Sequence, residues 1–333
     1  MIAFSAFRTG LVRAFHMPRI VLFAWLVNLA FGLILAVPML QKLDGAIRGT
    51  VMEEPLLERM DENWVQTFKT DNETSEIVTM LDYSILGYAP FLRHSEVVMS
   101  GGIVRPLGMF LKGMITDFEL QWTRMGFVSW LGLLYVVVGC ILSAGFISAF
   151  RGEYPPTIAE FLSSGMISFG PFFRLAVVSL ILNYLFFVGV VDWLNRGIPS
   201  WTENSPSETT PFILYMVRNA FVFLVLVFFT ISADYAKVRI VAESRLSALA
   251  AFGSGVIFAV RRFWTTFSLA MLFALLTFAA MGLYGFFESA FPQNGYWSIL
   301  LLVLLQQLFM AVRMFIRAAT YAGELEVYSG TDR

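Results

Sequence analysis

One cysteine and two histidines are all that this 333-residue chain contains of those residue types. With Cys140 alone, no intrachain disulfide can form, even in a large extracytoplasmic segment. Cys140 falls inside an apolar stretch, where a thiol packs as a small hydrophobe; a redox role is the less favoured reading. His16 sits beside Arg13 and Arg19, and His94 lies in the run Arg93-His94-Ser95-Glu96. Neighbours in sequence do not converge as a catalytic triad must, so that run is no sign of a hydrolase. No Cys/His cluster or H-E-x-x-H run offers metal ligands, and no P-loop holds a nucleotide. Asp44-Gly45-Ala46-Ile47-Arg48 falls one residue short of a phospholipid-synthase motif and lacks its later aspartates. The sequence therefore assigns no catalytic, metal or cofactor-binding residue.

Charge is also scarce. Asp, Glu, Lys and Arg make up 14% of the chain, and the net charge is −1. Soluble domains carry about a quarter charged residues. A near-neutral chain has no long-range field to attract nucleic acid.

Apolar residues take the place of charge, at 58% of the chain with a mean hydropathy of +0.71. They gather in six stretches: Ile20–Leu40, Phe127–Phe150, Phe172–Val191, Phe212–Ala233, Phe263–Phe287 and Tyr296–Val312. A helix needs about 20 such residues to cross the hydrocarbon core. The runs are continuous rather than alternating, which excludes a membrane β-barrel. Helices satisfy their own backbone polar groups and are the remaining solution. The first stretch is too long, and its lead too patterned, for a signal peptide.

Thirteen basic residues fall on one side if the N-terminus is cytoplasmic, including Arg8, Arg13, Arg151, Lys237, Arg239, Arg262 and Arg317. The short outer segments carry only Arg196 and Arg218. The excess predicts six spans with both termini inside.

Three amphipathic segments precede odd-numbered spans. In residues 2–16 an apolar stripe runs Phe4, Phe7, Leu11 and Phe15. After Pro155-Pro156, Thr157 and Glu160 form a capping box ahead of Phe161, Leu162 and Phe169. Before the fifth span, Leu246, Leu249, Gly253, Ile257 and Val260 recur. Aligning Gly10, Gly165 and Gly255 gives three units, each a cytoplasmic surface helix followed by a hairpin of two spans. The alternative is that amphipathic helices commonly precede spans. The fold class is an all-α membrane protein of six transmembrane helices.

The organisation follows: 1–40 surface helix and first span, 41–126 extracytoplasmic cap, 127–150 second span, 151–235 surface helix and spans three and four. Residues 236–333 complete it with a surface helix, spans five and six, and a cytoplasmic tail. The cap holds 13 acidic and 8 basic residues and reads as mostly helical. Its helices are expected after Pro55 (Leu56, Leu57, Met60, Trp64, Phe68), over Ile77–Leu86 and over Met109–Met125. Trp193–Thr210, rich in Ser, Thr, Pro and Asn, reads as an irregular outer loop.

Polar residues within spans are costly and mark either packing or a path. The candidates are Asn28, Asn183, Arg218, Asp234, Gln306, Gln307 and Arg313. Arg218 could snorkel outward, or pair with Asp192 or Glu288. Asp234 could pair with Lys237, or with Arg313 or Arg317. The amides could hold the bundle together or line a substrate pocket. Gly139-x-x-x-Ser143 and Gly145-x-x-x-Ala149 in span two permit close helix packing.

The run from Asp234 through Lys237, Arg239 and Glu243 to Leu249 resembles many bacterial multi-span proteins. In these a span ends in a basic run followed by an Ala-rich surface helix. Among them are the membrane domains fused to some glycerophosphodiester phosphodiesterases. The resemblance implies a bacterial inner-membrane protein and carries no catalytic residue. The partners expected are the lipid bilayer and other membrane-protein subunits, with no nucleic acid. A non-catalytic scaffold or accessory subunit is the first functional expectation. A transporter or lipid-handling permease is the second, and an intramembrane enzyme the third, to be tested by an activity screen of mutants at His94 and Glu96 in the outer segment.

Overall fold

The computed structural model describes residues 2–48, 62–73, 75, 78, 126–152, 154–205, 207, 209–243, 247–291 and 296–330. The remaining expectations for the cap, including Ile77–Leu86, Met109–Met125, His94 and Glu96, lie outside the described residues. So do Leu246 and Arg333. Among the described residues the chain is helical, without strands, and six of its helices are long and apolar enough to cross a membrane. The protein is a polytopic membrane protein.

In chain order the helices are α1 (Ile2–Phe15), α2 (Pro18–Ile47), α3 (Glu62–Asp71), α4 (Phe127–Arg151), α5 (Ile158–Ile167) and α6 (Phe169–Phe186). A π-turn over Phe187–Val191 leads into α7 (Asp192–Thr202). Then come α8 (Thr209–Glu243), α9 (Ala248–Arg261), α10 (Phe263–Ala290) and α11 (Tyr296–Ser329). The spans are α2, α4, α6 with its continuation, α8, α10 and α11.

Several local signals act as their chemistry requires. Pro18, whose missing N–H costs nothing at a first helical position, opens α2. The capping box closes at α5: Thr157 N–H donates to Glu160 Oε2 at 2.7 Å, and Glu160 N–H donates to Thr157 Oγ1 at 3.3 Å. Glu160 is exposed, and hydrogen bonding of its carboxylate by the Thr157 backbone N–H, then by the Thr157 side chain, holds it below the ordinary value.

Four expectations are corrected. First, Trp193–Thr210 is not an irregular loop, because α7 fills most of it. Its apolar residues outweigh its turn formers: Ile198 is buried and Trp193 packs edge-on against Trp201 at 5.4 Å. Second, the fourth and sixth spans do not stop at Ala233 and Val312. As helices of 35 and 34 residues, α8 and α11 continue beyond them. At 1.5 Å per residue each runs about 50 Å, well past a ~30 Å hydrocarbon core. Third, most of the presumed tail, residues 313–329, is therefore the end of α11.

Fourth, α9 buries the stripe opposite the expected one, and α1 turns only the middle of its expected stripe, Phe7 and Leu11, to the core. In α1 the buried residues are Ala6, Gly10 and Ala14, while Phe4 and Phe15 are exposed. In α9 they are Ala248, Ala251, Phe252, Gly255 and Ala259, while Leu249, Ile257 and Val260 are exposed. In α5 the expected side packs inward, with Phe161 and Gly165 buried and Leu162, like Phe169 just after the helix, against the core, while Met166 and Ile167 are exposed. Small residues face protein because they allow close helix approach. Bulky apolar residues face outward because the surroundings are lipid.

The three aligned glycines have one structural role. A Cβ on Gly10 would overlap the Ala319 carbonyl oxygen and lie 2.9 Å from Gly323 N. A Cβ on Gly165 would overlap the Ile141 carbonyl oxygen. A Cβ on Gly255 would overlap the Ser232 carbonyl oxygen and lie 2.9 Å from Ala236 N. So α5 packs on α4, α9 packs on α8, and α1 packs on α11; these are the most extensive pairings among the described residues. Each short helix caps the second span of the preceding unit, and α1 closes the cycle by capping the last. The result is a ring of three equivalent units. Its closure brings Arg13 within 3.2 Å of Glu326, so the chain's two ends lie at the same end of the bundle.

Candidate functional site

Because the units are equivalent, the glycine contacts also align the spans α4, α8 and α11. Two residues beyond each touched carbonyl stand Ser143, Asp234 and Tyr321; five residues beyond stand Phe146, Lys237 and Glu324. On each helix these positions follow the buried contact stripe, and they converge inside the ring. Tyr321 donates its hydroxyl hydrogen to Ser143 Oγ at 3.2 Å. Lys237 Nζ lies 2.6 Å from Asp234 Oδ1, and Arg317 Nη2 lies 3.5 Å from the same oxygen. The Arg317 guanidinium also sits 4.7 Å from the Tyr321 ring centroid, and Lys237 Nζ lies 5.8 Å from it.

Asp234 is 3% exposed and Glu324 6%, yet both stand in helices that cross the membrane. Glu324 Oε2 and the Tyr235 hydroxyl are buried without a hydrogen-bond partner. Burial of charge on this scale is tolerated only with compensation. Asp234 obtains it from two cations at once. Arg317, with its side chain 45% exposed, reaches open space beside the cluster.

That space consists of two cavities meeting at Arg317, Met314, Asn28 and Tyr135. One, of about 290 Å³, lies among α2, α4 and α6 and reaches Lys237 and Tyr321. The other, of about 490 Å³, lies among α8, α10 and α11 and reaches Asp234, Glu324, Arg313, Thr230, Thr277 and Thr320. Tyr135 donates to Asn28 Oδ1 at 3.2 Å on the boundary between them.

The sequence candidates divide accordingly. Asn28, Asp234 and Arg313 belong to this region, and Arg317 rather than Arg313 forms the ion pair with Asp234. Asn183 does not line either cavity; its amide donates to the Ser179 carbonyl of its own helix at 2.7 Å. Gln306 is exposed on α11 and Gln307 half-buried, and neither lines a cavity. Arg218 is 7% exposed and does not snorkel. It donates to Asn195 Oδ1 at 2.5 Å and to Asn219 Oδ1 at 2.8 and 3.1 Å, and its guanidinium lies 4.8 Å from the Tyr215 ring centroid. Asp192 pairs with Arg196 at 2.8 Å. Arg218 thus ties α8 to α7, beyond the π-turn, far along α8 from Asp234.

Ser143, Tyr321 and Glu324 were not singled out as a site from sequence. The signal that finds them is the glycine alignment carried into the second span of each unit. No protein-family model, curated protein or solved structure matches the chain.

Proposed function

We propose that this chain is a transporter or lipid-handling permease of a bacterial inner membrane, with both termini cytoplasmic. One observation carries the reading: a buried Asp234–Lys237–Arg317 cluster stands between two cavities inside a bundle of spans. Ionisable residues within spans typically line substrate or ion paths. Internal repeats around a central polar site are a common plan of transporters. The orientation rests on the excess of Lys and Arg at the end where α1, α5 and α9 sit. The cellular location rests on the basic run after Asp234 and the general plan it resembles. A scaffold or accessory subunit would need neither a cavity nor a buried charge cluster.

The test uses cysteine substitutions at Thr277 and Met310 in a Cys140→Ser background, reconstituted in vesicles. A permease exposes these positions to an impermeant thiol reagent, and Asp234→Asn changes the labelling rate. Cavities sealed from both sides, with a reproducible co-purifying subunit, would favour the scaffold instead.

A further inference from the structure

The two cavities differ in charge. Both acids of the cluster, Asp234 and Glu324, line the larger cavity and not the smaller. The smaller one has Lys237 and Arg317 as its charged lining, with the hydroxyls of Ser143 and Tyr321 beside them. One oxygen of Asp234 serves both cations, at 2.6 and 3.5 Å. The longer contact and the exposure of Arg317 leave its guanidinium free to take a second anionic partner. Apart from Asn28 and Tyr135, which bond to each other at the boundary, the remaining walls are largely apolar, as at Ala24, Val27, Val136, Leu142, Phe172 and Ala176. The smaller cavity therefore has a cationic, hydroxyl-lined end and a greasy body.

We propose that the cavity among α2, α4 and α6 binds an amphiphile with an anionic headgroup, its acyl chain along Ala24, Val136 and Ala176 and its headgroup at Arg317 and Lys237. Charge complementarity selects the headgroup, since a guanidinium donates to phosphate oxygens in a planar fork. The apolar walls favour a chain, since away from the Asn28–Tyr135 pair they offer a free phosphate or sugar few groups to bond. This inference rests on the permease reading for its purpose but not for its test.

The experiment is native mass spectrometry of the delipidated full-length protein, titrated with phosphatidylglycerol, phosphatidylcholine or glycerol phosphate. The expected result is one retained phosphatidylglycerol with at least about tenfold preference over phosphatidylcholine, or ~1.4 kcal/mol. Arg317→Gln erases the preference while total folded protein is unchanged. Ala176→Phe fills the cavity and removes the retained lipid; Val136→Phe is the second wall variant if Ala176→Phe does not fold. Cys140, the one cysteine, lines this cavity. Phosphatidylglycerol is expected to slow its alkylation by N-ethylmaleimide, and phosphatidylcholine is not. Equal retention of both lipids overturns the proposal, as does a preference that survives both Arg317→Gln and the wall variants. Full competition by glycerol phosphate also overturns it, making the ligand a free anion. Selective lipid retention alongside sealed Thr277 and Met310 would leave this inference standing and remove the permease.

Discussion

Gly10 lies against the carbonyl oxygen of Ala319, near the opposite end of the chain, at a separation that leaves no room for a Cβ. At the other two junctions of the ring, α4–α5 and α8–α9, the partners are neighbours in sequence. Here the partners are far apart in sequence, and the contact joins the first unit to the last alongside the Arg13–Glu326 pair and the Tyr321–Ser143 hydrogen bond. Gly10→Val is therefore expected to weaken the closure of the ring. Overpacking of this kind costs roughly 1–3 kcal/mol. Fluorescence-detected size exclusion after heating should show a lower melting temperature for Gly10→Val, Gly165→Val and Gly255→Val. Gly32→Ala and Gly253→Ala, where a Cβ meets nothing within 4 Å, should be silent. Equal behaviour of the two groups would contradict the ring.

Asp234 is the anion for two cations, so its removal leaves both without their shared partner. Asp234→Ala is expected to cost about 3–5 kcal/mol, the range for breaking a buried pair from one side. Lys237→Met in the same chain should recover part of the loss. Unfolding in mixed detergent micelles, read as a double-mutant cycle, measures the coupling. Additive losses would mean that the 2.6 Å contact contributes nothing net.

Arg218 holds α7 through Asn195. Asn195→Ala should cost about 1.5–3 kcal/mol, as for other hydrogen bonds to a charged group. Asn195→Asp keeps an acceptor and adds an opposite charge, so it should match or exceed the wild type. Arg218→Lys loses the planar fork that serves Asn195 and Asn219 together, and should resemble Asn195→Ala. The same unfolding measurement ranks all three.

The start of α5 should loosen in acid. The carboxyl of Glu160 is held below its ordinary value by the Thr157 backbone and hydroxyl bonds. Its stabilising effect is present above the unfolded value of about 4.3 and is lost as pH falls through the lowered folded value. Glu160→Gln retains an acceptor that does not titrate. Hydrogen exchange in the first turn of α5, corrected for intrinsic rates, should show a pH-dependent difference between the two proteins only in acid. A constant difference would show that the carboxylate charge plays no part.

Span positions were legible because lipid demands long apolar runs, and α5 began where Thr157 and Glu160 indicated. The Asp234–Lys237 pair was legible from helical spacing. The faces of α1 and α9 were not fully so, because an amphipathic reading assumes water opposite the core. With lipid outside, Phe4 and Phe15 face out while Ala6 and Gly10 face in. Tyr321 and Glu324 were hidden for a related reason. Charges past Val312 looked like the interface, but α11 continues through them into the ring. Even so, Gly10, Gly165 and Gly255 stood aligned in the sequence, and each marks a backbone touching a backbone.

The outward-facing bulk of α1, α5 and α9 has a mechanical consequence. Among the described residues, three extra helices broaden the bundle at one end. A bilayer accommodates such a wedge at least cost where the leaflet at that end is the more expanded one. The molecule should therefore sort toward membrane of one sign of curvature, independent of any cargo it carries.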